Sequence, residues 1–215
     1  MDVLVRPYRS SDRLAVHRIA ADTAFFGAPV EIFLGDRQPM LDVFVAYYTD
    51  CEPEHIWVAE VAGSVVGYIS ASLGGFKAFW NQARLVIRAL GRLLTGRYHL
   101  GRVGWCYLRR AAWALLNEGN LSADRNLYPA HLHINVAEGY RGRGLGHLLL
   151  HNCLDQIARL GVPGIHLHTT SLNKAAMRLY QKAGFQLLAR RQTRLWEPWL
   201  PGVEIENLLY GKRLA

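Results

Sequence analysis

The chain opens on Val3, Leu4 and Val5 before Arg6-Pro7, an apolar run of strand length. Ser10-Ser11-Asp12 is a helix N-cap signal, and Leu14, Ile19 and Ala20 fit an amphipathic helix behind it. Gly27-Ala28-Pro29 ends that pattern, and a second helical stretch is expected through Met40, Val43, Phe44 and Tyr47. Two strand-like runs, 56–61 and 65–71, flank Ala62-Gly63-Ser64 and predict a hairpin that Gly74-Gly75 closes. Next, Phe79, Ala83, Val86, Leu90 and Leu93 recur at helical spacing, with Arg84, Arg88 and Arg92 on one stripe. Gly91 is expected to weaken that helix. Trp105, Arg109, Ala112, Trp113 and Leu116 predict another, followed by a polar loop over 117–126.

The second half alternates strands and helices. Strands are expected at 130–136 and 165–169, and helices at 147–160 and 173–183. Gly184 stands at the C′ position of the second helix. Runs 185–188, 192–195 and 203–210 predict three antiparallel strands. Hairpins first and strand–helix units later imply a mixed α/β (α+β) sheet. At 215 residues the expectation is a single domain over 1–215, with a helical insertion at 74–126.

Charge sharpens this picture. Residues 74–117 carry eight basic side chains and no acidic one, so this segment alone matches the +8 of the whole chain. Residues 1–73 are net −5. Residues 118–215 are net +5, so the chain is not uniformly basic, which argues against a generic nucleic-acid binder. Three scattered cysteines, Cys51, Cys106 and Cys153, form no disulfide framework. With no apolar secretion core at the start, a cytoplasmic protein is expected. No apolar run reaches the ~18 residues of a membrane span.

Arg141-Gly142-Arg143-Gly144-Leu145-Gly146 lies between a predicted strand and a predicted helix. Such a turn exposes backbone amides at a helix N-terminus, where the dipole favours anions. Its spacing is neither GxGxxG nor a P-loop. It does match the R/Q-x-x-G-x-G/A signature, and the chain resembles the GNAT acyltransferase superfamily. Asn173-x-x-Ala176-x-x-Leu179-Tyr180-x-x-x-Gly184-Phe185 resembles the second GNAT signature. Val5-Arg6-Pro7 with Asp12, and the hairpin from Trp57 to Tyr68, are similar to the family's first strands. The resemblance implies a GNAT fold, a mostly antiparallel sheet flanked by helices, with acetyl-CoA or coenzyme A as cofactor. It implies that the amides of Arg141 to Gly146 bind the pyrophosphate. Ile134 and Val136 would then offer backbone to the pantetheine arm, and Asn173 would hold it.

Six histidines lie between 131 and 168. His131 and His133 share a strand face, as do His166 and His168. His147 and His151 share a helix face. No cysteine or carboxylate completes a metal spacing, so no metal is expected, and His147, His151 and His166 are expected to have no role. Ala130-His131-Leu132-His133 resembles the strand of serotonin N-acetyltransferases that relays the amine proton. The spacing to Arg141 is one residue shorter, a slip that changes faces unless a bulge absorbs it. Tyr128-Pro129 with His131 to Ile134 resembles bacterial GNAT proteins related to the acetyltransferase-like domain of O-GlcNAcase.

The expected activity is acetyl transfer to a small-molecule or peptide amine. His133 or His131 would be the base, and Tyr180, from its place in the second signature, the acid. A catalytically silent acyl-CoA-binding or interaction module is the alternative. Glu31, Asp36, Asp42, Asp50, Glu52 and Glu54 could draw a cationic acceptor, and Tyr47 to Glu54 is the first patch to test. For the basic segment, a lid on the acceptor cleft or a dimerisation arm built on Phe79, Trp80, Trp105 and Trp113 ranks ahead of membrane contact.

Overall fold

The computed structural model describes residues 2–214. The strands are β1 (Val3–Pro7), β2 (Ile56–Val61), β3 (Ser64–Ser72), β4 (Ala130–Val136), β5 (Gly164–Thr170), β6 (Gln186–Thr193) and β7 (Ile205–Arg213). Among the described residues they form one seven-stranded sheet in the order β1-β2-β3-β4-β5-β7-β6. Every pairing is antiparallel except β4 with β5. The helices are α1 (Arg13–Asp22), α2 (Glu31–Leu34), α3 (Gln38–Met40), α4 (Ala46–Cys51), α5 (Gly75–Leu94), α6 (Gly101–Asn117), α7 (Leu145–Arg159) and α8 (Lys174–Lys182). The mixed, mostly antiparallel sheet with flanking helices is the architecture the pattern predicts.

Four local expectations change. Gly91 does not interrupt α5, which runs twenty residues. The strands expected at 185–188 and 192–195 are one strand, β6, with a register shift between Leu187 and Ala189. Pairing to β7 overrides the polar Arg190-Arg191-Gln192 that made it look broken. Residues 194–204 are a turn-rich connection holding Trp196 and Trp199. The helix expected from 147 starts at Leu145, inside the glycine motif. Met40 to Tyr47 is helical, but a π turn, Leu41–Val45, separates α3 from α4.

The sheet is buried on both faces because helices supply apolar stripes to each. On one face α7 sends Leu145, Leu149, Leu150, Cys153 and Ile157 against Ile69, Leu132, Ile165 and Leu167. That spacing of three and four is a helix's inward stripe. On the other face Val16, Ile19 and Ala20 of α1, with Phe33 and Leu34 of α2, cover Ile56, Val58 and Tyr68. α6 approaches α2 at Gly104, where a Cβ would lie 2.4 Å from the Leu34 carbonyl oxygen. Tyr107 then packs on Phe33, Trp196 and Trp199.

The first strand is tied to the first helix by a partly buried ion triad. Arg6 donates from both terminal nitrogens to Asp12, at 2.7 and 2.9 Å, and from Nε to Glu60 at 2.8 Å. The backbone amide of Arg9 also donates to Asp12. The Arg6 guanidinium, first, and that amide hold the Asp12 carboxyl below the usual range. A depressed folded-state value stabilises the fold above the unfolded pKa and is lost as pH falls through the folded one. Asp12→Ala leaves the Arg6 charge half-paired and is expected to cost about 3 kcal/mol at neutral pH. Urea unfolding tests this: the variant's deficit should shrink on acidification below about pH 4.

Candidate active site

β4 and β5 pair at only two positions, Ala130↔Ile165 and His131↔His166. Beyond them the strands part. Each keeps its other neighbour: β4 pairs with β3 over six positions, and β5 with β7 over seven. The result is a fork whose open arm leaves the β4 backbone from Leu132 onward unpaired with β5. A groove of about 920 Å³ lies at the open end. Ile134, Val136, Gly142, Gly144, Asn173 and Leu179 are among its walls.

The glycine loop shapes one end. Gly144 is the N-cap of α7 with φ +82°, left-handed backbone that other residues adopt at a cost. The first-turn amides at Leu145 and Gly146 have no carbonyl partner within the helix. Arg141, read from the motif as part of the anion site, turns its side chain elsewhere. Nε donates to the Val136 carbonyl and a terminal nitrogen to the Gly27 carbonyl, both at 3.0 Å. It clamps the loop to the end of β4 and to the turn after α1. The Arg143 guanidinium lies over the Tyr140 ring at 5.6 Å. Asn173 caps α8, its Oδ1 accepting from the Ala176 amide at 3.3 Å.

At the closed end the two strand histidine pairs meet. His131 is 4.6 Å from His133, 4.9 Å from His166 and 5.7 Å from His168, ring to ring. β4 pairs with β3 through this stretch with no bulge, so His131 and His133 share the face turned to α4. Tyr48 of α4 bonds His131 Nδ1 through its hydroxyl at 3.1 Å and stands edge-on to His133 at 5.5 Å. His166, expected to have no role, is part of the cluster. Its Nδ1 donates to the Tyr128 carbonyl at 2.8 Å, which leaves Nε2 with its lone pair. The helix histidines His147 and His151 lie apart from it, His147 on the groove wall and His151 beside Asp155.

Desolvation by surrounding protein atoms, then neighbouring imidazoles, pushes His131, His133 and His168 down from the ordinary histidine value, although the His133 and His168 rings keep an exposed face. Burial also lowers His166 against its carbonyl bond. The cluster is therefore neutral at physiological pH. Ring nitrogens of His131, His166 and His168 lie within 4.8 Å of one another, the one such grouping of metal-type donors among the described residues. Ser70, opposite His133 on β3, and Thr170, two residues past His168, have buried hydroxyls with no partner among the described residues.

Tyr180 is buried against Phe185 and Tyr210, and burial raises its phenol. Ala176 and Leu179 of the same helix lie on the groove wall. The Tyr180 hydroxyl makes no hydrogen bond among the described residues. The acidic patch is mostly spent internally. Asp50 pairs with Arg13, Asp42 with Arg92 and Tyr98, Glu31 with Arg37, and Glu52 with Tyr47. Asp36 accepts from the backbone of Gln38 and His99. Lys174, Arg178 and Lys182 were missed as groove residues. Their i, i+4, i+8 spacing was the available signal.

A fork of splayed strands above an amide-rich glycine turn defines a protein class that seats an extended, anion-bearing ligand. The sequence profile of the acetyltransferase (GNAT) family matches residues 23–185, and the chain belongs to that family. Its structure is similar to that of SsHAT, at 30% identity and TM-score 0.68, with all of both chains covered. It also resembles an N-acetyltransferase from Staphylococcus aureus Mu50, at 16% identity and TM-score 0.63 over all of both chains. A phosphinothricin acetyltransferase from Sinorhizobium meliloti, solved with AcCoA, matches at 15% identity and TM-score 0.59. That match covers 100% of this chain and 90% of the other.

Because Gly144 caps α7 in left-handed backbone, Gly144→Ala is expected to lose about 1 kcal/mol of stability. Chemical denaturation measures it; an unchanged midpoint would show that the loop can relax to a right-handed turn.

Proposed function

We propose that the protein transfers an acetyl group from acetyl-CoA to an amine, carried by a small molecule or a peptide. The observation that carries this reading is the neutral histidine cluster at the closed end of the fork. Coenzyme A fits the groove on two counts. A Cβ at Gly142 or Gly144 would meet nothing within 4 Å, so the loop backbone is open to a bulky anion. The α8 cations Lys174, Arg178 and Lys182 supply opposite charge along the wall. When bound, acetyl-CoA supplies the acetyl group as an activated thioester.

The amides of the 141–146 loop hold the pyrophosphate, aided by the α7 dipole. Ile134 offers its backbone and Val136 its amide to the pantetheine arm, and Asn173 holds it with the amide nitrogen its cap leaves over. Unpaired amides of the splayed β4 are the oxyanion donors. An alkyl ammonium must lose a proton before its nitrogen can attack a carbonyl. His133, on the open side of the cluster, takes that proton and His131 relays it, Tyr48 fixing the His131 ring. Tyr180, kept protonated by burial, holds the proton that the departing sulfur needs.

A second reading is a silent acyl-CoA-binding module. It is favoured by the packing of Tyr180 against Phe185 and Tyr210 and by the resemblance of Tyr128-Pro129 and His131 to Ile134 to the O-GlcNAcase-related group. The serotonin N-acetyltransferase-like strand supports the active reading. Protein, acetyl-CoA and an amine panel should release free thiol, and Tyr180→Phe should lower turnover about tenfold with coenzyme A affinity kept. An unchanged rate would reject Tyr180 as the acid. Coenzyme A binding without turnover across the panel would establish the module instead. The acid limb of kcat/KM should fall below the ordinary histidine value of 6.5, since lowered pKa values keep the cluster neutral above it. A limb centred on 6.5 or higher would reject the neutral relay.

A further inference from the structure

α5 lies on the protein by one face. Leu85, Ala89 and Leu93 turn inward, Gln82 donates to the Val43 carbonyl at 2.9 Å, and Arg92 pairs with Asp42. The opposite side holds six large apolar residues in the open: Phe76, Phe79, Trp80, Ile87, Leu90 and Leu94, between 52 and 87% exposed. At about 100° per residue they share an arc of roughly 100°, running nearly the whole helix. Lys77, Arg84 and Arg88 are exposed along the next flank. The sequence ranked a lid or a dimerisation arm ahead of membrane contact for this segment, but the core takes only the inward face and leaves this one uncovered.

We propose that this face of α5 docks on an anionic lipid surface. Six apolar side chains seat at the boundary of headgroup and acyl chain, and the cationic flank meets lipid phosphates. Trp80, at the edge of the arc, sits where apolar and polar zones meet. Charge selects this occupant. With eight basic and no acidic residues in 74–117, a second copy would set arginine flank against arginine flank. An anionic bilayer offers opposite charge along all of the roughly 27 Å between Phe76 and Leu94. No helix among the described residues is long and apolar enough to cross a membrane, so α5 lies on the surface. α6 adds exposed Trp105 and Leu116 beside exposed Arg102 and Arg109. α5 begins three residues after Ser72, the strand partner of His131, so the docked helix stands next to the histidine end of the fork.

The test is co-sedimentation of the full chain with vesicles of phosphatidylcholine alone or mixed with phosphatidylserine, with light scattering for oligomeric state. Binding to the mixed vesicles should weaken steeply with salt. It should fall about tenfold or more in Arg84→Glu/Arg88→Glu, and likewise in Phe79→Ser/Leu90→Ser. Both variants change exposed positions, and an unchanged circular dichroism melt verifies their fold. Equal retention on both vesicle types, or retention untouched by either variant, would overturn the proposal. So would a concentration-dependent dimer abolished by Phe79→Ser/Leu90→Ser with no vesicle binding, which would make the face a contact between copies.

Discussion

The structure depends on a pairing that stops early. β4 and β5 are neighbours in the sheet, yet they share two residue pairs before they part. A sheet loses backbone hydrogen bonds when strands splay, and unpaired buried amides are costly. The loss is tolerable here because each arm is anchored on its far side, β4 by β3 and β5 by β7. Loop 137–144 and α7 follow β4, while Asn173 and α8 follow β5, so both connections enter the same gap. Gly146 lets them close: a Cβ there would stand 3.2 Å from Leu179 of α8. The groove and the glycine turn at its end follow from that divergence, and the histidine cluster from the two residue pairs that precede it.

Much of this was legible in the residues. The glycine motif and the Asn173–Phe185 signature announced both edges of the groove, because each is a local device: left-handed backbone at one, a helix cap at the other. Alternation on strands predicted that His131 pairs in direction with His133, and His166 with His168. That the two pairs meet required the parallel register of β4 on β5, which no local pattern encodes. Side-chain direction was the least legible level. Arg141 stands at the right position of its motif, yet its Nε and one terminal nitrogen go to carbonyls of its own chain. The carboxylates that looked like an acceptor patch are consumed by Arg13, Arg37, Arg92 and Tyr47, partners separated from them by up to fifty residues.

Charge is sorted in space as well as in sequence. Acidic residues of the first third bind the framework to itself, and Asp42 even takes Arg92 from the basic segment. Cations left over fall in two places, the outward flanks of α5 and α6 and the α8 wall of the groove, where Lys174, Arg178 and Lys182 stand.

The neutrality of the histidine cluster constrains the chemistry. Four imidazoles crowd at 4.6 to 5.9 Å, so a proton on one makes the next proton harder to accept. Such a cluster resists holding more than one positive charge. His131 has Tyr48 at Nδ1, and His166 is fixed to the Tyr128 carbonyl, so His133 and His168 are the members open to water. His131 and His166 are half-buried and fixed by hydrogen bonds, while His133 and His168 are exposed, a division imposed by burial rather than by residue type.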